Sequence, residues 1–404
     1  MPAMNTIAVV GGSLAGLRAA EALRRHGFEG RLVFVSEESH EPYDRPPLSK
    51  EVLAGEREPE QIRLAKPEKL AALDLDLRLG RRVPRSRLSA RRLQLSGDEA
   101  VAFDGLIVAT GASARSLPGA PPLRGVHTLR TLDDCLALRT ALGESPRVAV
   151  VGAGFIGAEV AATCRKRGLD VTLIEALPLP MANALPAAVG ALCAALHRDN
   201  GVDLRCGVSV EALTGAGRVE RLQLGDGTRV AADVVVVGVG VTPNVGWLDS
   251  SGLALADGVV CDEALAASAP GIVAAGDVAR WRNPLFSEDM RVEHWTNAVE
   301  QAEAAAVRLL AGPAGARPFA SVPFVWSDQY GHKIQSAGRF SPGDTMQICH
   351  GSLEERRFVA LFGRRGRLVG ALAVNRVRQL IGYRRMIQES AAFDAVVADA
   401  RAAD

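Results

Sequence analysis

A strand–turn–helix–strand pattern at residues 148–175 constrains the fold of this chain more than any other feature. An apolar run meets a glycine-rich turn, a helix-forming segment follows, and a second apolar run ends at Glu175. Gly152 would permit the tight turn, Gly154 would let a pyrophosphate approach the backbone N–H groups at the helix N-terminus, and Gly157 would let the helix pack closely on the strand. The pattern predicts a dinucleotide-binding unit in which the Glu175 carboxylate accepts hydrogen bonds from a ribose.

The same order of elements occurs earlier in the chain, at residues 7–37. Here Ser13 stands where the second glycine would be, and this small residue still allows close approach of a phosphate. The acidic residue of this copy is Glu37. Because each copy predicts a nucleotide site, we expect the chain to bind two dinucleotides.

Each copy leads into short predicted strands and then into an apolar strand that ends in a glycine. In the first half the apolar strand is at residues 106–109, before Gly111. In the second half it is at residues 234–237, before Gly238, and it follows a hairpin turn at residues 226–227. The repeated order predicts an α/β fold with a duplicated dinucleotide-binding domain, the second copy inserted into the first.

The chain is expected to return to the first domain from Asn244 onward. A short buried strand stops at Gly276 and Asp277, and sheets of this kind bind ligands at the carboxyl ends of their strands. Asp277 is therefore a candidate ligand contact. An alanine-rich helix is expected from about Glu293 to Leu310.

A third region, of α+β type, is predicted beyond a linker rich in Gly and Pro at residues 312–318. Residues 319–380 favour strands, with a hairpin near residues 363–366. A helix at residues 378–391 should be followed by a polar tail.

The segment from Arg45 to Lys50 contains two consecutive prolines. Proline fixes the backbone and cannot donate a hydrogen bond, so we expect this segment to hold one conformation. Ser49 is a candidate N-cap for a short helix that starts at Lys50. Lys50 also stands out because the basic residues of this chain are mostly arginine.

The composition argues against several classes of function. A formal net charge of +1 over 404 residues gives no sign of nucleic acid or an anionic membrane as a partner. We expect neither a leader peptide nor a membrane-spanning run, and we interpret the protein as soluble and cytoplasmic. The six cysteines are widely spaced, so the sequence predicts neither a metal site nor a redox-active dithiol.

Two dinucleotide sites in one chain indicate transfer between two dinucleotides, for which FAD and NAD(P)H are the economical pair. No arginine follows Glu175 to meet a 2′-phosphate. The second site therefore favours NADH over NADPH.

With these motifs in place, the chain resembles the FAD-dependent, NADH-using ferredoxin reductases of Rieske dioxygenase and class I P450 systems. This family shares its fold with rubredoxin reductases and apoptosis-inducing factor. The resemblance covers nearly the whole chain and rests on residues 11–16, 45–50, 109–111, 152–159, 276–277, 295–297 and 326–329. It implies a glutathione-reductase-like fold with an FAD-binding domain at residues 1–112 and 244–317, an inserted NAD-binding domain at residues 113–243 and a C-terminal interface domain at residues 318–404.

The resemblance also implies roles for individual residues. Lys50 would lie beside flavin N5 and pair with Glu159, and these two are the implied catalytic residues. FAD would contact Lys50 together with Gly11, Ser13, Leu14, Ala15, Gly16, Glu37, Arg45, Val83, Thr110, Gly111, Arg130, Gly276, Asp277, Trp295, Thr296 and Trp326. Arg45 and Arg130 would lie at its phosphate or adenine end, and Asp277 at its ribityl chain. NADH would contact Gly152, Gly154, Phe155, Ile156, Gly157, Glu159, Glu175, Gly238 and Gly240.

By the same resemblance, NADH passes a hydride to the flavin, which releases its electrons singly to a [2Fe–2S] ferredoxin. Arg339, Arg364, Arg365 and Arg367 form either a steering patch for an acidic ferredoxin or a solvated arginine-rich face. A reductase of rubredoxin, a quinone or a small radical remains an alternative, as does a non-enzymatic NADH-sensing flavoprotein. Both a monomer and a homodimer are compatible with the sequence.

Overall fold

The N-terminal part of the chain carries the first glycine-rich turn between a strand and a helix. The computed structural model describes residues 4–144 and 146–402. The first elements are β1 (Thr6–Val10), α1 (Leu14–Arg25), β2 (Arg31–Val35), α2 (Glu51–Ala54), α3 (Pro67–Ala71), β3 (Leu75–Arg78), β4 (Arg85–Arg87), β5 (Arg92–Gln94), β6 (Ala100–Ala102), β7 (Gly105–Val108) and β8 (Ala112–Ala114). Strands β1, β2 and β7 are buried along nearly their whole length, as expected for a parallel sheet that is covered on both faces.

The second glycine-rich turn lies in a similar setting further along the chain. The elements here are β9 (Val126–Thr128), α4 (Leu132–Ala141), β10 (Val148–Val151), α5 (Phe155–Lys166), β11 (Val171–Glu175), α6 (Ala187–Asp199), β12 (Asp203–Cys206), β13 (Val210–Thr214), β14 (Arg221–Leu224), β15 (Arg229–Ala231), β16 (Val234–Val237) and β17 (Val241–Pro243). Strands β12, β11, β10, β16 and β9 form a parallel sheet in that order. The turn after β10 is therefore at the carboxyl edge of this sheet.

The chain then returns to the first sheet, as predicted. The next elements are β18 (Val259–Cys261), β19 (Ile272–Ala274), β20 (Ala279–Asn283), β21 (Glu288–Arg291) and α7 (Trp295–Ala311). Strand β19 pairs with β7, which gives a parallel sheet in the order β19–β7–β1–β2–β3. Helix α7 packs against α1 on this sheet.

The two halves share further elements. Strands β4, β5 and β6 form a three-stranded antiparallel sheet in the first half, and β13, β14 and β15 form one in the second. The hairpin turn predicted at residues 226–227 connects β14 to β15. The prediction of a duplicated βαβ domain followed by short strands is confirmed.

Strands β8 and β17 mark the point where the chain leaves the first sheet and comes back to it. They pair with each other in antiparallel fashion. Next to them, the Thr110 hydroxyl donates to the Asn244 carbonyl at 2.8 Å, and the Asn244 amide Nδ2 donates to the Thr110 carbonyl at 2.9 Å. The predicted domain boundaries at residues 112–113 and 243–244 fall on this crossing, and they stay a prediction.

The last part of the chain forms an antiparallel sheet with two helices. Its elements are β22 (Phe324–Gln329), β23 (His332–Gly338), β24 (Thr345–Ser352), β25 (Arg357–Arg364), β26 (Arg367–Val374), α8 (Val377–Gln388) and α9 (Phe393–Ala402), with strand order β22–β23–β26–β25–β24. Phe358 and Phe362 of β25 pack in one apolar cluster with residues of α6, while Val359 and Leu361 pack on the other face in a cluster that includes α8 and α9. The sheet is therefore buried on both sides.

Helix α9 contradicts the prediction of a polar tail. It buries Phe393, Val396, Val397 and Ala400, which recur at the spacing of one face of a helix. The spacing was present in the sequence. The prediction followed the charged residues Asp394, Asp399 and Arg401 instead of this spacing.

Candidate functional site

Both glycine-rich turns open into a single cleft with a volume of about 1920 Å³. Typical small-ligand pockets have about 300–1,000 Å³, so the cleft has room for more than one ligand of that size. Its lining includes most of the predicted site residues, namely Gly11, Ser13, Leu14, Ala15, Glu37, Arg45, Lys50, Val83, Thr110, Gly111, Arg130, Gly152, Gly154, Phe155, Ile156, Glu159, Glu175, Gly238, Gly240, Gly276, Asp277, Trp295 and Trp326.

Three residues predicted to contact a cofactor do not line the cleft. A Cβ at Gly16 or at Gly157 would lie 1.9 Å from the carbonyl oxygen of the first glycine of its own turn. Both positions therefore let a helix pack closely on its strand. The Thr296 hydroxyl donates to the Phe324 carbonyl at 3.0 Å, so this side chain ties α7 to β22.

The first turn presents backbone donors to the cleft. Gly11 has φ +124°, in the left-handed region, and a Cβ there would lie 2.0 Å from the Ala109 carbonyl oxygen. Helix α1 begins after Ser13, whose side chain makes no capping hydrogen bond. The N–H groups of the first helical turn can therefore receive an anion, which the helix dipole also favours.

The second turn leaves space for a ligand at its middle glycine. A Cβ at Gly154 would meet no atom within 4 Å, whereas a Cβ at Gly152 would lie 2.4 Å from the Gly238 carbonyl oxygen. The packing of the protein itself therefore requires glycine at 152 but not at 154. Open space beside a helix N-terminus fits the pyrophosphate of a dinucleotide.

The Glu175 carboxylate is held beside this second turn. Its Oε2 accepts a hydrogen bond from the Ala153 N–H at 2.7 Å, and its Oε1 accepts one from the Leu177 N–H at 2.9 Å. A carboxylate has about four acceptor positions, so two remain for ribose hydroxyls. The sequence did not predict the two backbone bonds, which fix the orientation of the group.

A network of charged side chains lies against the first turn. The Arg45 guanidinium donates to Glu38 Oε1 at 2.6 Å, to Ser13 Oγ at 3.3 Å and to the Arg130 carbonyl. Arg130 Nη2 in turn donates to Asp277 Oδ2 at 2.6 Å. The structure therefore joins both arginines and Asp277 in one network beside the turn. Arginine N–H groups held next to a helix N-terminus fit the diphosphate of FAD.

The predicted pairing of Lys50 with Glu159 is present. The Lys50 ammonium donates to Glu159 Oε2 at 2.7 Å, and the two side chains are only 16% and 4% exposed. Lys50 follows a 3₁₀ turn at Pro46–Ser49, while Glu159 lies on α5. The pair therefore connects the proline-containing segment to the helix of the second nucleotide turn.

Two serines near this pair were not identified from the sequence as site residues. The Ser49 hydroxyl donates to Glu159 Oε2 at 2.5 Å, and the Ser327 hydroxyl donates to Glu159 Oε1 at 2.8 Å. The prediction that Ser49 caps a helix is wrong, because the N-cap of α2 is Lys50 and no side chain caps it. Ser327 lies in the motif at residues 326–329, but only the folded chain brings its side chain to Glu159.

Two tryptophans form an aromatic wall of the cleft. The ring centroids of Trp295 and Trp326 are 6.3 Å apart with an interplanar angle of 64°, and Trp295 Nε1 donates to Asp44 Oδ1 at 2.8 Å. Burial raises the pKa of the Asp44 carboxyl. Burial also lowers the pKa of the neighbouring His294 to about 4, so this ring is neutral near pH 7. The rings of Trp295 and Trp326 give this side of the cleft an apolar surface, as a flat aromatic ligand requires.

The described site has no thiol chemistry. No cysteine is among the cleft-lining residues, and all six cysteines are free. Burial raises the pKa of Cys164 and of Cys193 to about 12, so these thiols stay protonated and unreactive at neutral pH. Within residues 4–144 and 146–402, no cluster of His, Cys, Asp or Glu is placed to hold a metal ion, and no helix is long and apolar enough to cross a membrane.

The arginines of the third region do not form a patch of four free cations. Arg364 pairs with Asp344 at 2.7 Å and with Glu288 at 2.9 Å, and Arg339 pairs with Glu288 at 3.2 Å. The remaining two, Arg365 and Arg367, are exposed. Acidic neighbours therefore compensate the positive charge of two of the four arginines that could attract an acidic ferredoxin.

Two nucleotide-binding turns that face one cleft, with a buried Lys–Glu pair in its wall, define an oxidoreductase that binds two dinucleotides. Comparison with known families agrees: residues 5–302 match the pyridine nucleotide-disulphide oxidoreductase family, and residues 324–404 match the reductase C-terminal family. The chain belongs to the pyridine nucleotide-disulphide oxidoreductase family and ends in a reductase C-terminal domain.

Named relatives align along nearly the whole chain. Rhodocoxin reductase of Rhodococcus erythropolis is 37% identical over 385 residues, which cover 95% of this chain and 89% of the relative. The biphenyl dioxygenase system ferredoxin–NAD(+) reductase component of Paraburkholderia xenovorans is 38% identical over 388 residues, which cover 95% of this chain and 93% of the relative. A crystal structure of the covalent putidaredoxin reductase–putidaredoxin complex matches with a TM-score of 0.91 and 32% identity, covering 96% of this chain and 93% of that one. The predicted family, fold class and cofactors, FAD and NADH, are confirmed.

Proposed function

We propose that this chain is an NADH:ferredoxin reductase that serves an oxygenase, either a Rieske dioxygenase or a cytochrome P450. The observation that carries the proposal is that both nucleotide turns and the Lys50–Glu159 pair line one cleft. The relatives support a ferredoxin as the acceptor, since one is named as a ferredoxin–NAD(+) reductase component of a dioxygenase system. FAD, when bound, supplies the chemistry that this requires, because it accepts two electrons as a hydride and can release them one at a time.

The residues around the first turn would hold the FAD. The N–H groups at the start of α1 would receive the diphosphate, with Arg45 and Arg130 beside it. Asp277 would contact the ribityl chain, and Glu37 would contact the adenosine ribose. Trp295 and Trp326 would pack near the flat ring.

The residues around the second turn would hold NADH. Gly154 leaves open space at the N-terminus of α5 for the pyrophosphate, and Glu175 accepts hydrogen bonds from the adenosine ribose. A carboxylate at that position repels a 2′-phosphate, so NADPH should be a poorer substrate than NADH. Ile156, 45% exposed at the start of α5, and Phe155 add apolar surface to the cleft.

Lys50 would act on the reacting end of the cofactor. Its ammonium group is held in place by Glu159, so it presents a fixed positive charge to the cleft. A preorganised cation stabilises negative charge that develops during hydride transfer, and burial strengthens the effect.

We place the protein in the cytoplasm. We assign the FAD-binding domain to residues 1–112 and 244–317, the NAD-binding domain to residues 113–243 and the interface domain to residues 318–404.

Cytochrome c reduction by NADH tests the proposal, measured with and without an added [2Fe–2S] ferredoxin. We expect activity that depends on the ferredoxin. Activity that requires rubredoxin or a quinone would show that one of these, and not a ferredoxin, is the electron acceptor. Slow flavin reduction without turnover would favour an NADH sensor.

The variant Lys50→Met should slow flavin reduction more than it weakens FAD binding. Lys166→Met is the matched control, because Lys166 forms an exposed pair with Glu56.

A further inference from the structure

The Glu159 carboxylate receives more hydrogen bonds than its ion pair with Lys50 alone provides. Lys50 Nζ and the Ser49 hydroxyl both donate to Oε2, at 2.7 and 2.5 Å. The Ser327 hydroxyl and the Asp328 N–H both donate to Oε1, at 2.8 and 3.3 Å. An ionised carboxylate has about four acceptor positions, and here four donors from two distant segments meet them. The carboxylate is thereby fixed against rotation.

Each serine is itself held in place. The Thr163 hydroxyl, one helical turn beyond Glu159 on α5, donates to the Ser49 carbonyl at 2.8 Å. The side-chain amide of Gln329 donates to Ser327 Oγ at 3.1 Å. Because Ser327 Oγ accepts that bond, its own proton is directed to Glu159. Ser49, Ser327 and Gln329 are all at most 2% exposed, so water does not compete for these bonds.

We propose that Ser49 and Ser327 are positioning residues that hold the Glu159 carboxylate directed at Lys50. The proposal deepens the proposed reductase function and rests on it for the role of Lys50. Loss of either hydroxyl leaves the buried carboxylate one donor short and lets it turn away from Lys50. The Lys50 ammonium then loses the partner that fixes its place in the cleft.

The variants Ser327→Ala and Ser49→Ala test this through the rate of flavin reduction at saturating NADH. In each variant the limiting rate should fall about 10- to 100-fold, the size expected for one lost hydrogen bond to a charged group, while the NADH concentration that gives half of that rate stays near the wild-type value. Ser327→Thr, which keeps the hydroxyl, should restore the wild-type rate. Ser321→Ala is the matched control, because Ser321 is also buried near the start of β22 and its hydroxyl has no partner among the described residues.

Infrared spectroscopy of the FAD-loaded protein gives a second readout that needs no turnover. The carboxylate stretching band that disappears in Glu159→Gln should shift in Ser327→Ala but not in Ser321→Ala. An unmoved band together with an unmoved rate, in a folded Ser327→Ala protein, would overturn the proposal. If Ser327→Ala does not fold, Ser49→Ala decides the question from the other carboxylate oxygen. If wild type is not reduced by NADH, the reductase function fails, while the infrared band still decides what the serines do.

Discussion

Two glycines of the second turn, Gly154 and Gly157, should respond differently to the same change, one added methyl group. At Gly154 the backbone has φ −71°, which alanine adopts readily, and a Cβ there meets no protein atom within 4 Å. At Gly157 a Cβ would lie 1.9 Å from the Gly152 carbonyl oxygen, and real Cβ atoms essentially never come within 3.0 Å of another atom. Gly154→Ala should therefore weaken the binding of NADH, and Gly157→Ala should lower the stability of the protein.

The magnitudes follow from what each methyl group displaces. In Gly154→Ala the methyl keeps the pyrophosphate from the helix N-terminus, and one lost bond to a charged group costs about 1.5–3 kcal/mol. The KM for NADH should then rise about 10- to 100-fold. In Gly157→Ala the helix must move away from β10, and overpacking of this kind costs about 1–3 kcal/mol of unfolding free energy.

Thermal unfolding and steady-state kinetics with NADH, measured on both variants, test this difference. Gly154→Ala should unfold near the wild-type temperature with a raised KM, and FAD content should be unchanged because the first turn is intact. Gly157→Ala should unfold at a lower temperature. A Gly154→Ala protein that is as unstable as Gly157→Ala, with an unaltered KM for NADH, would refute the assignment of the open space to the ligand.

Three further results are expected. Burial lowers the pKa of His197 from 6.5 to about 4, so the unfolded chain binds a proton first as the pH falls. The unfolding free energy should therefore drop by up to about 3 kcal/mol between pH 6.5 and 4, and urea titrations should show a smaller drop in His197→Gln. Asn244→Ala should speed hydrogen exchange in the crossing at β8 and β17. It removes the bond that Asn244 Nδ2 donates to the Thr110 carbonyl and the bond that Asn244 Oδ1 accepts from the Ser113 hydroxyl. Burial and the nearby Glu175 carboxylate raise the pKa of the partly exposed Cys206, which pairs with Glu175 across β11 and β12. A thiol reagent should therefore modify Cys206 slowly at neutral pH, and the modified protein should have a raised KM for NADH.

The nucleotide turns could be predicted because their signals are local. Gly152, Gly154, Gly157 and Glu175 lie within one βαβ unit, and each glycine has a separate steric reason that sequence spacing reveals. The apolar runs of β1 and β10 likewise indicated buried parallel strands directly. The fold class could therefore be predicted from short segments, without knowledge of contacts between distant parts of the chain.

The environment of Glu159 could not be predicted in the same way. Its hydroxyl donors Ser49 and Ser327 lie 110 and 168 positions away in the chain. Such contacts depend on how three segments pack, and no spacing rule relates them. The prediction that Ser49 is an N-cap failed for a related reason. A serine before a helix is a good cap, but the buried Glu159 carboxylate is a stronger, charged acceptor for its hydroxyl.

The most direct measurement is the electron balance of a single anaerobic reaction. The FAD-loaded protein is mixed with a limited amount of NADH and an excess of oxidised [2Fe–2S] ferredoxin, and the reduced ferredoxin is counted. In a reductase that takes two electrons from NADH and releases them singly, the flavin absorption band should bleach rapidly, and about two ferredoxins should be reduced per NADH. Rapid bleaching of the flavin band with no reduced ferredoxin, or flavin reduction by NADPH at the same rate as by NADH, would contradict the proposed function.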